Sequence, residues 1–127
     1  MSGNKKHWTK LNSTDAYLGP FFKVRIDEVK LASGKIMPRY YVFEYADWVH
    51  VIALSPENEI VLIRQYRHAS GEMVVEIPGG TLDPRQSEAP EAAARRELLE
   101  ETGFQCEKMI LVGSQSPNPA SHNNRLW

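Results

Sequence analysis

One cysteine, Cys106, stands in 127 residues, so the chain can form no internal disulfide and no zinc cluster of several cysteines. It reads as a small core residue. No charge sign dominates, because fifteen Lys and Arg face sixteen Asp and Glu, for a formal net charge of -1. General nucleic-acid binders carry a basic excess or stripe, which sets that class aside. Long apolar runs are also missing: the longest are about half of what a membrane-spanning helix needs. The N-terminal MSGNKKHWTK lacks the apolar stretch of a signal peptide. No repeat, low-complexity tract or linker divides the chain. What is present, 42% hydrophobic and 24% charged residues, is the balance of one soluble domain, expected in the cytoplasm.

Most of the pattern has the period of strands. Residues 1–20 are polar and irregular, close on Gly19-Pro20, and read as an N-terminal arm. From Phe21 to Leu31, Phe22, Val24 and Ile26 alternate with Lys23, Arg25 and Asp27, as in a half-buried strand. Ser33-Gly34-Lys35 signals a turn, and Pro38 to Glu44 reads as the returning strand. Trp48 to Leu54 is a strongly apolar strand, with Trp48 expected in the core and Ile60 to Gln65 as its hairpin partner across Pro56-Glu57-Asn58-Glu59. Met73 to Ile77 is a short strand leading into Pro78-Gly79-Gly80, and Ile110 to Gly113 is a further candidate. His50, His68 and His122 show no ligand spacing and default to surface or loop positions.

Ala92 to Thr102 stands apart, rich in Ala, Leu, Arg and Glu, with no Gly or Pro inside. It predicts the single long helix. Pro90 suits its first turn, and Gly103 supplies a left-handed C-terminal cap with Phe104 beside it. At 3.6 residues per turn, Glu97, Glu100 and Glu101 project from neighbouring positions on one side. Such a cluster repels itself. It is either a solvated acidic face balanced by Arg95 and Arg96, or a site for hard divalent cations whose charge cancels the repulsion. Pro78-Gly79-Gly80 tilts the balance, since glycines there let the backbone approach a metal or phosphate closely.

Gly80, Glu88, Arg96-Glu97-Leu98, Glu100-Glu101 and Gly103-Phe104 resemble the Nudix box, whose pattern is Gly, five residues, Glu, seven residues, then Arg-Glu-U-x-Glu-Glu-x-Gly-U with U bulky and aliphatic. Here seven residues, Thr81 to Ser87, separate Gly80 from Glu88, and an aromatic fills the last slot. Val61-Leu62-Ile63-Arg64-Gln65-Tyr66-Arg67 and Glu76-Ile77-Pro78-Gly79-Gly80 are similar to segments of ADP-ribose pyrophosphatases and related nucleoside-diphosphate-sugar hydrolases. Pro119, sixteen residues beyond Gly103, matches a proline of that group. The resemblance covers residues 21–127. It implies an α+β protein: a Nudix-type α/β/α sandwich with a mixed sheet, preceded by N-terminal antiparallel strands over 21–45, with the box over 80–104. The closing strands, second helix and loop carboxylate base of the family are expected to be missing from this chain.

The resemblance also implies magnesium, with manganese as the alternative, and hydrolysis of ADP-ribose or a similar nucleoside diphosphate sugar to a nucleoside monophosphate and a sugar phosphate. By matching positions, Glu97, Glu100 and Glu101 are the metal ligands, joined by the Gly79 carbonyl. Arg96 pairs with and orients the carboxylates, and Glu88 is an outer group. Arg67 and Arg64 are candidate diphosphate clamps, because a guanidinium binds phosphate oxygens bidentately. Three apart on a strand, they face opposite sides, so they do not share one role. Tyr40 and Tyr41 are candidates to stack on a nucleobase. The family implies a homodimer through the N-terminal strands, and neither nucleic acid nor membrane is an expected partner. Two alternatives stay open: another nucleoside diphosphate linkage, such as GDP-mannose or a dinucleotide, and a non-catalytic nucleotide-binding module. Arg125-Leu126-Trp127 reads as the start of a strand, so the sequence is expected to be the front of a longer protein or to need a partner chain. Low stability and aggregation through an unpaired edge are the expected consequence.

Overall fold

Alternation over residues 22–26 builds the middle strand of a sheet. The computed structural model describes residues 7–127 and divides them into two units. In the first, β1 (Thr9–Leu18), β2 (Phe22–Lys30) and β3 (Ile36–Tyr45) form an antiparallel sheet in the order β1-β2-β3. Gly34 has φ 89 and makes the β2–β3 turn, donating its amide to the Leu31 carbonyl. The irregular reading of residues 1–20 is corrected over Thr9–Leu18. These residues are exposed along their whole length and carry no apolar alternation, yet they pair through the backbone with β2 from Thr9↔Lys30 to Leu18↔Lys23. Residues 1–6 of the expected arm lie outside the described residues. Residues 116–124 belong to the same unit, held by bonds from the Phe43 amide to the Ser121 carbonyl and from the Asn123 amide to the Phe43 carbonyl. His122 stacks on Tyr45 and Phe43 there, at centroid distances of 5.2 and 5.6 Å.

Asp27, expected on the polar side of β2, is buried. Burial raises its pKa, but the Ser13 hydroxyl at 2.6 Å and the Arg25 guanidinium at 3.1 Å more than offset this, and the net direction is down. Arg25 also pairs with Glu44 on β3, so one guanidinium ties two carboxylates across the sheet. A carboxylate depressed in the folded state contributes stability that is full above its ordinary value near 3.8 and is lost as pH falls through the lower folded value. Acid titration of Asp27→Asn should therefore show a smaller loss of stability below about pH 4 than the parent. Equal acid sensitivity of the two proteins in urea melts would contradict this.

The second unit holds Ala46–Gln115 and Arg125–Trp127. Its elements are β4 (Trp48–His50), β5 (Ile63–Arg67), β6 (Glu72–Glu76), β7 (Gly79–Thr81) and α1 (Pro90–Thr102). The strand expected over Trp48 to Leu54 is shorter, because its backbone changes partners: Trp48–His50 pairs antiparallel with β7. Its hairpin with Ile60 is reduced to a bridge at Leu54↔Ile60, with bonds from the Val61 amide to the Ala53 carbonyl and from the Ser55 amide to the Glu59 carbonyl. β5 pairs antiparallel with β6 from Ile63↔Glu76 to Arg67↔Glu72. Ile110 to Gly113 is not a strand; it has no ladder partner among the described residues and is exposed. Arg125–Trp127 runs beside β4 with a parallel bridge at Trp48↔Leu126, so the pairing in this unit is mixed.

Helix α1 begins at Pro90, where the missing amide proton costs nothing, and Ala89 offers no side-chain cap. It ends where Gly103, at φ 76, donates its amide to the Leu99 carbonyl. Phe104 is exposed. Ala93, Ala94 and Leu98 are buried against Val49 and Val51, with Cys106, Met109, Leu82 and Trp127 packed around them. Two consecutive alanines on this face let the helix lie close to β4 and β7, which sets up the site. Trp48 is only half-buried, stacked on His50 at 5.7 Å, rather than in this core. The architecture is α+β, with one helix among the described residues, and no helix among them is long and apolar enough to cross a membrane.

Candidate active site on the glutamate helix

Burial of Leu98 and Ala94 fixes the rotation of α1, and that rotation turns Glu97 and Glu101 toward the two glycines of β7. The Gly79 amide donates to Glu101 Oε2 at 2.9 Å. Glu97 lies over Gly80 so closely that a Cβ on Gly80 would fall 2.2 Å from the Glu97 carboxyl carbon. A Cβ on Gly79 would instead meet the Val49 carbonyl oxygen at 2.3 Å. The glycine pair is thus explained on two sides: Gly79 permits the β4–β7 pairing and Gly80 gives the Glu97 carboxylate its place.

Arg96 holds the acidic groups. It binds Glu88 through Nε and Nη2, each at 2.9 Å, and its Nη1 reaches Glu97 at 2.6 Å and Glu100 at 3.3 Å. Nη2 also donates to the Thr81 carbonyl at 3.1 Å. These partners, Glu88 first and then Glu97, raise the Arg96 pKa further above its ordinary value. In return Arg96, helped by the Asp83 amide at 3.0 Å, holds the Glu88 carboxyl below the usual carboxylate range. The two extra residues between Gly80 and Glu88 are absorbed in a loop organised by Asp83, which accepts from Arg85 and Gln86 and is lowered to about 2 mainly by Arg85. Arg95 bonds on another side of the helix. It pairs with Glu91 at 2.9 Å and donates to the Cys106 carbonyl at 2.6 Å.

The donor chemistry suits a hard divalent cation: three carboxylates on one edge of a helix, of which Arg96 already draws two toward one positive group. Among the described residues, no three acidic, histidine or cysteine side chains converge on one point as they stand. Glu97 is largely covered and Glu101 tethered, whereas the Glu100 side chain is 58% exposed and reaches Arg96 at 3.3 Å. Glu97, Glu100 and Glu101 would hold the ion.

The remaining candidates are placed differently. On β5, Arg67 and Arg64 do lie on opposite faces: Arg67 pairs with Glu76 at 2.7 Å, and Arg64 is exposed opposite Val75. Glu76, to which the sequence pattern assigns no separate role, is held below the usual carboxylate range chiefly by Arg67. Only the strand register reveals that partnership. Tyr40 and Tyr41 belong to the first unit. The Tyr40 hydroxyl donates to the Ala120 carbonyl and its ring meets Trp8 edge-on at 5.8 Å, while Tyr41 is 49% exposed.

Comparison with known proteins adds to this geometry. Residues 44–126 match the family model described as NUDIX domain, and residues 8–42 match that of the nucleoside diphosphate sugar hydrolase N-terminal domain. The chain is 37% identical over 109 residues to a methanol dehydrogenase activator of Bacillus methanolicus, covering 86% of this chain and 57% of that protein. It is 32% identical over 103 residues to an ADP-ribose pyrophosphatase of Bacillus subtilis, covering 81% of this chain and 54% of the relative. The ADP-ribose pyrophosphatase of Mycobacterium tuberculosis is 36% identical over 95 residues, or 75% of this chain and 45% of the relative. The chain therefore spans about half the length of these relatives. A crystal structure of an ADP compounds hydrolase superposes with a TM-score of 0.77 at 21% identity, over 94% of this chain and 63% of that one, and so shares its fold.

Proposed function

The chain belongs to the Nudix family, and on that premise we propose that it hydrolyses the diphosphate of ADP-ribose or a related nucleoside diphosphate sugar, with magnesium as the metal. The observation that carries this reading is that Glu101 accepts from the Gly79 amide and Glu97 lies over Gly80, while Arg96 binds Glu97 and Glu100. Two relatives named ADP-ribose pyrophosphatase, and the match of residues 8–42, support the substrate class.

A water oxygen adds to one phosphorus, the bridging P–O bond breaks, and the products are a nucleoside monophosphate and a sugar phosphate, which between them take up both protons of the water and release two as they ionise to dianions. The barrier is the gathering of negative charge on phosphate oxygens. A bound divalent cation supplies charge neutralisation and Lewis acidity at those oxygens. Glu97, Glu100 and Glu101 would hold it, Arg96 pairs with and orients the carboxylates, and the Gly79 carbonyl is the candidate backbone ligand. Arg67 is the candidate diphosphate clamp. Tyr40 and Tyr41 remain base-stacking candidates, and the first unit is the proposed dimer surface.

The test offers the 127-residue protein ADP-ribose, GDP-mannose, UDP-glucose and a diadenosine polyphosphate, with magnesium or with chelator. Monophosphate release from ADP-ribose, abolished by chelator, is expected. Release from only GDP-mannose or the dinucleotide would move the substrate to that class. Nucleotide binding without any turnover would favour a binding module.

A further inference from the structure

The register of the β5–β6 hairpin places Arg67 opposite Glu72, yet its guanidinium bypasses that acid. It runs back along its own strand to Glu76, which lies opposite Ile63. Glu76 Oε2 accepts from Arg67 Nε at 2.9 Å and from Nη2 at 2.7 Å, and Gln65, between the two in register, donates its amide to the same oxygen at 2.9 Å. The Glu76 carboxylate thus gathers both side chains at the end of the hairpin that leads directly into Pro78-Gly79-Gly80, the turn whose amide holds Glu101.

An arginine offers two edges to an anion: the side edge, of Nε and one Nη, and the end edge, of both Nη groups. Glu76 takes the side edge. No hydrogen bond to Nη1 is recorded among the described residues, and the Arg67 side chain is 51% exposed. The end edge is therefore open, in a plane already fixed by the carboxylate.

We infer that Glu76 is a positioning residue, which turns the open edge of Arg67 toward the phosphates of the substrate. This rests on the proposed reading of the site as a diphosphate hydrolase, and it adds a residue whose part is to orient the clamp rather than to touch the reacting atoms. A guanidinium pre-set in one plane loses less rotamer freedom when it captures phosphate. Without Glu76, Arg67 would fall toward Glu72 or into solvent.

The experiment compares Glu76→Asp, Glu76→Ala, Arg67→Ala and the double variant Glu76→Ala/Arg67→Ala. It reads steady-state kinetics on ADP-ribose with magnesium and, separately, calorimetric binding of inorganic pyrophosphate. Glu76→Ala is expected to raise KM and the pyrophosphate Kd about tenfold while kcat changes less than about threefold. Arg67→Ala should do at least as much, and the double variant no more than Arg67→Ala, because Glu76 acts only through Arg67. Glu76→Asp, which keeps a shorter carboxylate, should recover part of the loss. Losses that multiply in the double variant would overturn the inference, as would a fall in kcat at unchanged KM. Circular dichroism melts separate a folding defect from either result. If the parent turns over no substrate, the proposed function fails, but the pyrophosphate arm still decides this inference. An unchanged Kd in Glu76→Ala, or no pyrophosphate binding by the parent, would then reject it.

Discussion

Glu101→Gln should reduce ADP-ribose turnover on the order of 10²–10³-fold, comparable to the loss of one group that stabilises the developing charge, because the proposed cation site loses one of its carboxylates. The substitution is nearly isosteric, and the glutamine carbonyl oxygen can still accept the Gly79 amide, which now donates to Glu101 at 2.9 Å. What disappears is a negative charge. The melting temperature should therefore stay within about 3 °C of the parent, since no core contact or backbone bond is lost. Magnesium should raise the melting temperature of the parent by ligand linkage and have a smaller effect on the variant. Turnover within threefold of the parent would remove Glu101 from the reaction. A fall in turnover accompanied by a large fall in melting temperature would mean that Glu101 serves the Gly79 turn rather than a cation.

Much of this site was legible because helix signals are local. Ala92 to Thr102 carries its own propensity, Pro90 and Gly103 bound it, and 3.6-residue geometry alone places Glu97, Glu100 and Glu101 on one side. Strands gave less, since their partners lie far along the chain. Thr9–Leu18 has no apolar alternation and joins the sheet by backbone bonds that composition does not encode. Trp48 to Leu54 reads as one apolar strand, but the chain changes partners after His50, and apolarity cannot show where a ladder stops. Ile110 to Gly113 has the composition of a strand without a partner to make it one. The same limit hid Glu76: nine residues separate it from Arg67, and only the β5–β6 register brings them together.

The glycine pair provides the sharper separation of folding from chemistry. Gly79→Ala puts a methyl group 2.3 Å from the backbone oxygen of Val49, a residue only 2% exposed in the core. Neither strand can yield without breaking the β4–β7 pairing, so this variant should lose roughly 1–3 kcal/mol of stability by overpacking, and its activity with it. Gly80→Ala meets a different obstacle. Its methyl group would stand 2.2 Å from the Glu97 carboxyl carbon, the far end of a flexible side chain that can rotate away. Folding should survive, with a loss below about 1 kcal/mol, while the carboxylate leaves both its place over Gly80 and its 2.6 Å bond to Arg96. Since a misplacement of about 1 Å can cost on the order of 10²-fold in rate, Gly80→Ala should be close to inactive yet folded. Urea melts beside turnover measurements on the two variants check the contrast. Full activity in Gly80→Ala would show that Glu97 works from a position other than the one over Gly80. Equal destabilisation of the two would mean that the Glu97 side chain cannot yield, and that its placement belongs to the core rather than to the reaction.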